Sequence, residues 1–253
     1  LLADDAPFIG RPLALVGDAG RAIRANTRHM ALMIMDGTAP DRASTAAAFA
    51  ESLLDRTSQQ IATPLACGRG CAHCCTTYVS CTIPEALHLA NAIRRKQTTR
   101  ERVLAAAARS KSVGQLQREI DRVTCPILEE RACSEYESRP VVCRAVISTS
   151  LERCLNILAQ SRNEPFAYPE GAEAARVYIV LMLRAALMLC GLPHQNIELT
   201  HALEIALAED EAEARWLAGE PLFAAVAVDR ADQGPSEFSR LADGLAATIR
   251  PLL

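Results

Sequence analysis

Cys67-Gly-Arg-Gly-Cys71-Ala-His-Cys74-Cys75, followed after five residues by Cys81, is the stretch around which we expect the chain to be organised. Eight of the ten cysteines lie between Cys67 and Cys143. A hydrophobic core does not need thiols at this density, whereas soft metal ions and iron–sulfur clusters prefer thiolate ligands. The stretch therefore predicts a metal centre.

The composition favours a helical protein that builds its own core. Half of the 253 residues are apolar and 4% are aromatic, and alanine, leucine, glutamate and arginine dominate, which favours helix. We predict an all-α fold, an irregular helical bundle with a cysteine-rich metal-binding loop segment. The ten cysteines are about 4% of the residues, a smaller fraction than the roughly 8–10% that is typical of a small disulfide scaffold. Clustered thiols then indicate metal binding in a reducing, cytoplasmic setting, with disulfide pairing as the alternative.

Charge and hydropathy bear on the kind of partner that the chain can have. The 27 basic and 30 acidic residues give a net charge of −3, which does not suggest nucleic acid or a polybasic membrane patch. The most apolar run, residues 177–192, is shorter than the roughly 20 residues of a membrane span and contains Arg184. We therefore expect no membrane span and no nucleic acid, and a protein partner docking on the helical flanks.

Three parts are predicted within one compact domain: residues 1–64 as an N-terminal arm with helices, 65–145 as the cysteine-cluster segment, and 146–253 as a C-terminal helical part. Thr82-Ile-Pro-Glu85 has the pattern of a capping box that begins a helix. No stretch has a convincing strand pattern, and 124–144 is expected to be a loop folded back onto the first cysteines. The predicted helices span residues 21–35, 38–62, 84–96, 98–110, 112–123, 151–158, 170–190, 196–218, 222–228 and 235–250, after an irregular arm over 1–20.

The adjacent pair Cys74 and Cys75 bears on the kind of metal centre. Neighbouring helical side chains point about 100° apart, so we expect the two thiols to bind different atoms of a cluster or two separate centres. One tetrahedral zinc needs only four ligands. Seven or eight cysteines therefore favour a polynuclear iron–sulfur centre of the 4Fe-4S type, with zinc as the alternative. The arginines that could offset its negative charge, or be ordinary surface residues, are Arg69, Arg139 and Arg144.

The ordered cysteines also resemble a known family. The pattern consists of Cys67-x-x-x-Cys71-x-x-Cys74-Cys75, Cys125-Pro-Ile-Leu, and Cys133-Ser-Glu-Tyr-Glu-Ser-Arg-Pro-Val-Val-Cys143-Arg. Over roughly residues 65–145 it is similar to the zinc- or iron-chelating cysteine-cluster family of the YkgJ type, although the first gap here has three residues and the family motif has two. The resemblance implies metal binding through Cys67, Cys71, Cys74, Cys75, Cys125, Cys133 and Cys143.

Three functions stay open at this point. The first is an iron–sulfur protein for electron transfer or an auxiliary role in a modification pathway. The second is a zinc-binding structural or interaction module. The third is a cluster-dependent methyl- or peptide-modifying enzyme, which the related clusters of flagellin lysine methylases suggest; no catalytic residue is assigned.

The remaining thiols and His73 have alternative interpretations. Cys81 is either an eighth metal ligand or a small buried apolar residue. Cys154 lies on an apolar helical stretch, which favours the core and leaves a metal ligand as the alternative, while Cys190 ends the most apolar helix and is expected in the core. His73 lies inside the motif as an alternative ligand or proton donor.

Overall fold

The computed structural model describes residues 17–68, 70–159, 165–234 and 236–253. It confirms the predicted all-α class, because the described residues form eleven α-helices and only two-residue strands. The helices are α1 (Gly17–Met35), α2 (Arg42–Ser58), α3 (Ile83–Ile93), α4 (Gln97–Ser110), α5 (Gln115–Asp121), α6 (Val141–Ala145), α7 (Leu151–Leu158), α8 (Ala172–Leu189), α9 (Leu199–Ala208), α10 (Ala212–Leu217) and α11 (Glu237–Ile249).

One hydrophobic core joins the parts of the chain that lie before and after the cysteine segment. Helix α8 packs against α1, α2 and α11, while α3 packs against α2 and α9. The charged side chain in the middle of α8 is accommodated by pairing, since Arg184 Nη1 lies 2.8 Å from a carboxylate oxygen of the buried Asp232. Among the described residues, no helix combines the length and the apolar character that crossing a membrane requires.

The predicted capping box at the start of α3 is present and does more than cap. Glu85 accepts hydrogen bonds from the backbone N–H and the hydroxyl of Thr82, at 2.8 and 2.7 Å. Its other oxygen accepts the backbone N–H of Val141 at 2.8 Å. A locally encoded helix start is thereby tied to α6, which carries Cys143.

Several helix boundaries differ from the predicted ones. Helix α1 already begins at Gly17, and α2 ends at Ser58 rather than near residue 62. The helix predicted over 196–218 is broken into α9 and α10. Arg94 donates to the carbonyls of Ala206 and Glu209, at 2.9 and 3.3 Å, and so satisfies acceptors that a continuous helix would have used. Residues 222–228 form turns instead of a short helix.

Four very short strands were not predicted. Strand β1 (Ser80–Cys81) pairs antiparallel with β4 (Ile197–Glu198), and β2 (Leu128–Glu129) pairs with β3 (Ala132–Cys133). Two residues each are too few for a period-two pattern to be visible in the sequence. The first pair anchors the end of the cysteine stretch next to the start of α9. The second forms a hairpin that presents Cys133.

A buried ionic cluster fixes the start of α9. Glu198 accepts the backbone N–H groups of Thr200 and His201, at 2.9 and 2.7 Å, and so satisfies the first turn of the helix. The same carboxylate lies 2.7 Å from Arg118 Nη1 on α5 and 3.0 Å from His201 Nδ1. Burial by itself would raise the pKa of Glu198, but the hydrogen bonds from His201 and the charge of Arg118 outweigh it and lower the pKa to about 2.

We expect Glu198→Gln to remove stability that depends on pH. A carboxyl group whose folded pKa lies below its unfolded value of 4.5 contributes stability above pH 4.5, and this contribution is lost as the pH falls towards 2. At pH 7 the variant should be less stable than wild type by about 2–4 kcal/mol. Urea unfolding at pH 7 and pH 3 measures the difference, which should shrink at pH 3. The exposed Glu237→Gln serves as control, and a difference that does not change with pH would contradict the assignment.

Candidate metal centre

The first cysteine loop is held by backbone contacts with the chain that follows α6. Ala66 donates its N–H to the carbonyl of Ser148 at 2.8 Å, and Ser148 donates its N–H to the sulfur of Cys67 at 3.2 Å. Gly70 has a φ of +93°, a conformation that favours glycine and turns the loop. A 3-10 turn at His73–Thr76 then carries Cys74 and Cys75.

The second cysteine segment folds back onto the first, as expected from the sequence. Cys125 donates its backbone N–H to the carbonyl of Cys75 at 2.7 Å, which sets the two segments side by side. The β2–β3 hairpin then presents Cys133, with Glu130 and Arg131 in the left-handed conformation at its tip. Pro140 directly precedes α6, whose third residue is Cys143.

Four thiols converge at this place: Cys74, Cys125, Cys133 and Cys143. Burial raises the pKa of Cys143 well above its ordinary value, and the neighbouring thiols of Cys125, Cys74 and Cys133 raise it further. Burial likewise raises the pKa of Cys125 to about 11, with Cys133 and Cys74 contributing. These mutual electrostatic effects place the four thiols in one neighbourhood of the structure. We call these four residues the inner thiol group.

A second set of thiols lies around Cys67 and is joined to the inner group through Cys74. Burial raises the pKa of Cys67 to about 11, the N–H of Ser148 opposes this, and the thiols of Cys154, Cys71 and Cys74 add to the increase. We call Cys67, Cys71 and Cys154 the outer thiol group. The sequence pattern placed Cys154 in the core, but its side chain is only partly buried and faces this group. Helix α7, which carries it, packs against the His73–Thr76 turn.

The other cysteines occupy different surroundings. The thiols of Cys75 and Cys74 are hydrogen-bonded to each other, and this bond is the largest cause of the raised pKa of Cys74. Cys81 is 2% exposed and belongs to the main core. Burial raises the pKa of its thiol well above the ordinary value, and the neighbouring Glu85 and Cys143 raise it further. Cys190 contacts the carbonyl of Ala31 at 3.6 Å, on another part of the molecule.

Two of the arginines expected to offset the charge of the centre have different positions. The positive charge of Arg139 lowers the pKa of Cys74, Cys133 and Cys143 against the effect of burial, so it lies beside the inner thiol group. Its guanidinium stacks on the ring of Tyr136 at 3.4 Å. Arg144 instead turns towards the acidic side chains of α2. Arg69 lies outside the described residues.

The cysteine sulfurs are suitable ligands for a metal that prefers thiolates. In the described structure, however, they are not arranged as a complete set of metal ligands. All ten cysteines lie in the described ranges and are free thiols. Within these ranges no three His, Cys, Asp or Glu side chains form a group with metal-ligand geometry. The raised pKa values of Cys67 and of the four inner thiols keep these five groups protonated near neutral pH, and a bound metal would have to displace their protons. The arrangement is therefore a convergence of neutral thiols whose affinity for metal rises with pH.

Comparison with known proteins agrees with this chemistry. Residues 66–164 match the model of the CxxCxxCC family, described as "Putative zinc- or iron-chelating domain". The match covers less than half of the chain, includes both thiol groups and extends to α7. Neither a curated protein nor a solved structure matches the chain. Over residues 66–164 the chain is therefore similar to the CxxCxxCC cysteine-cluster family, whose description is the chelation of zinc or iron.

Proposed function

We propose that this protein holds an iron–sulfur cluster on the inner thiol group and serves electron transfer or an auxiliary role in a modification pathway. The observation that carries the proposal is the convergence of Cys74, Cys125, Cys133 and Cys143, which come from three separate parts of the chain. Four thiolates are the usual ligands of a 4Fe-4S cluster. Arg139, beside the group, would offset part of the negative charge of the thiolates.

The outer thiol group is part of the same proposal. Cys67, Cys71 and Cys154 lie next to Cys74, and Cys75 is hydrogen-bonded to it. One cluster needs four of these thiols, which leaves a second set for another centre or for ligand exchange. Seven or eight thiols in two adjoining groups suit polynuclear or paired centres better than one isolated zinc ion.

Zinc is the second candidate, and a specific observation favours it. The inner thiol group has the four sulfurs that one tetrahedral zinc site requires. In this case the protein would be a structural or interaction module with a protein partner on its helical flanks. Apolar side chains are exposed there on α5 and α7, at Leu116, Ile120, Leu151 and Leu155.

An enzyme is the third candidate, supported by a cavity near α6. The cavity has a volume of about 900 Å³ including its open mouth, and it is lined by the end of α2, by Ala145 and Ile147, and by the start of α8. Ala145 and Ile147 follow Cys143 closely along the chain. A methyl- or peptide-modifying reaction would need such a space for its substrate.

Anaerobic purification with metal analysis tests the proposal. We expect a brown protein with visible absorption, iron and acid-labile sulfide in equal proportion, and an electron paramagnetic resonance signal after reduction. Zinc added to the metal-free protein in a parallel sample measures competition for the same thiols.

A colourless protein that carries stoichiometric zinc and no iron would overturn the iron–sulfur assignment and support the zinc module. Unfolding by a chelator would then show that the metal also stabilises the fold. A protein that binds neither metal under reducing conditions would contradict both candidates.

A further inference from the structure

A cavity beside the metal segment contains an arginine whose hydrogen-bonding capacity is not used up. It has a volume of about 450 Å³ including its open mouth and lies between α4, α5 and the start of α9. One wall is the segment Thr124 to Ile127, which includes Cys125. The lining contains two charged side chains, Arg118 and Glu198, together with the hydroxyl-bearing Thr77, Ser110, Thr124 and Thr200, and the remaining residues are apolar or Cys125.

Arg118 is held in place by one edge of its guanidinium group. The residue is 8% exposed, and Nη1 forms an ion pair with a carboxylate oxygen of Glu198 at 2.7 Å, without the alignment of a hydrogen bond. The guanidinium also lies over the ring of Tyr78, at 5.2 Å from its centre. These two contacts fix the plane and the position of the charged group.

The other edge of the same group is left almost without acceptors. Nε is buried and has no hydrogen-bond partner among the described residues, and Nη2 has only a long contact of 3.4 Å with the hydroxyl of Thr200. The Nε and Nη2 donors of arginine form the planar fork that binds two oxygens of a carboxylate or phosphate. A buried donor of this kind costs free energy unless an acceptor meets it.

The nearby carboxylate does not meet that demand. Both oxygens of Glu198 are engaged by the N–H groups of Thr200 and His201, and the carboxylate also pairs with Arg118 Nη1 and His201 Nδ1. The hydroxyl of Ser110, also in the lining, donates to the carbonyl of Ala106. The Nε and Nη2 donors of Arg118 are therefore still able to bind an acceptor in this cavity. In apolar surroundings such a hydrogen bond is stronger than in water.

We propose that this cavity binds a small oxyanion, a carboxylate or inorganic phosphate, through the Nε and Nη2 donors of Arg118, against the wall formed by Thr124 and Cys125. The proposal goes beyond the metal-binding function and does not depend on which metal is bound. It places a small-ligand site beside Cys125, a member of the inner thiol group.

Calorimetric titration of the full-length protein, as purified with its metal, tests the proposal. Sodium phosphate and sodium acetate are titrated separately at constant ionic strength, so that the two sources of the oxyanion are distinguished. We expect saturable binding of at least one of them. Arg118→Lys retains the positive charge but lacks the fork, and it should weaken binding by roughly tenfold or more.

A second variant tests the cavity without touching the arginine. Ala106 lines the cavity on α4, so Ala106→Leu should fill the space and abolish binding, whereas Ala108→Leu on the exposed side of the same helix should not. Metal content is measured in every sample, which separates failure of this site from failure of the metal centre. The proposal is overturned if neither anion binds up to about 10 mM, or if Arg118→Lys and Ala106→Leu bind as wild type does.

Discussion

Cys143→Ser is expected to abolish stoichiometric metal binding while leaving the helical fold in place. The thiol of Cys143 has Cys125, Cys74 and Cys133 as neighbours, so its loss removes one of four converging ligands. Loss of an outer-shell partner alone typically costs 10–100-fold in metal affinity, and loss of a direct ligand should cost more. Metal-to-protein ratios measured after anaerobic reconstitution provide the comparison.

Cys190→Ser is the matched control for this experiment. Cys190 is also a free, partly buried cysteine, but it contacts the carbonyl of Ala31 and not the thiol groups. Its replacement should leave the metal content unchanged. Circular dichroism of both variants shows whether the helices are retained. Normal metal content in Cys143→Ser would mean that the inner thiol group is not the metal site.

Arg144→Leu is expected to destabilise the protein by about 3–5 kcal/mol, because it removes a buried guanidinium that donates hydrogen bonds to two carboxyl groups and two backbone carbonyls. The side chain of Arg144 is 4% exposed and lies 3.0 Å from Glu51 and 2.5 Å from Asp55 on α2. It also donates to the carbonyls of Arg139 and Glu137. Leucine can fill part of the space but leaves these acceptors without a donor.

The protonation of Glu51 depends on its burial and on the charge of Arg144. Burial raises the pKa of Glu51 to about 9, and the charge of Arg144 opposes this increase. One of its oxygens is buried without a hydrogen-bond partner among the described residues. With this pKa Glu51 is already protonated at neutral pH, and since Arg144 is the main group that lowers it, Arg144→Leu should raise the pKa of Glu51 further.

Urea unfolding at pH 7 measures the effect, with Arg109→Leu as control. Arg109 is exposed on the last turn of α4, and its replacement should change the free energy of unfolding by less than about 0.5 kcal/mol. A loss of under about 1 kcal/mol in Arg144→Leu would show that the network contributes little. Metal content should fall only as far as the protein unfolds, since Arg144 is not a ligand in this arrangement.

Much of the local structure could be predicted because its causes are local. The capping box of Thr82 and Glu85 fixed the start of α3 from four adjacent residues. Helix α7 has the predicted bounds, Leu151–Leu158. The spacing of the cysteines and the order of the two segments were sufficient to identify the family and to expect that the segments meet.

Other features depend on contacts between residues far apart in the chain. The sequence left Arg144 either as a group that offsets the charge of the thiols or as an ordinary surface residue, but it is buried and paired with two acids on α2. Cys154 was expected in the core from its apolar neighbours, yet the packing of α7 on the His73–Thr76 turn brings it towards Cys67. The spacing of apolar residues in the sequence predicts neither of these two contacts.

The sequence by itself determined the fold class, most helix starts and a thiol chemistry suited to metal, because helix propensity, capping and ligand type are properties of short stretches. The tertiary structure decided which thiols are neighbours, which arginine lies beside them and where Arg118 meets Glu198, 80 residues away. These pairings arise from burial and charge in a shared core, and the free energy that selects them exists only once the helices have packed.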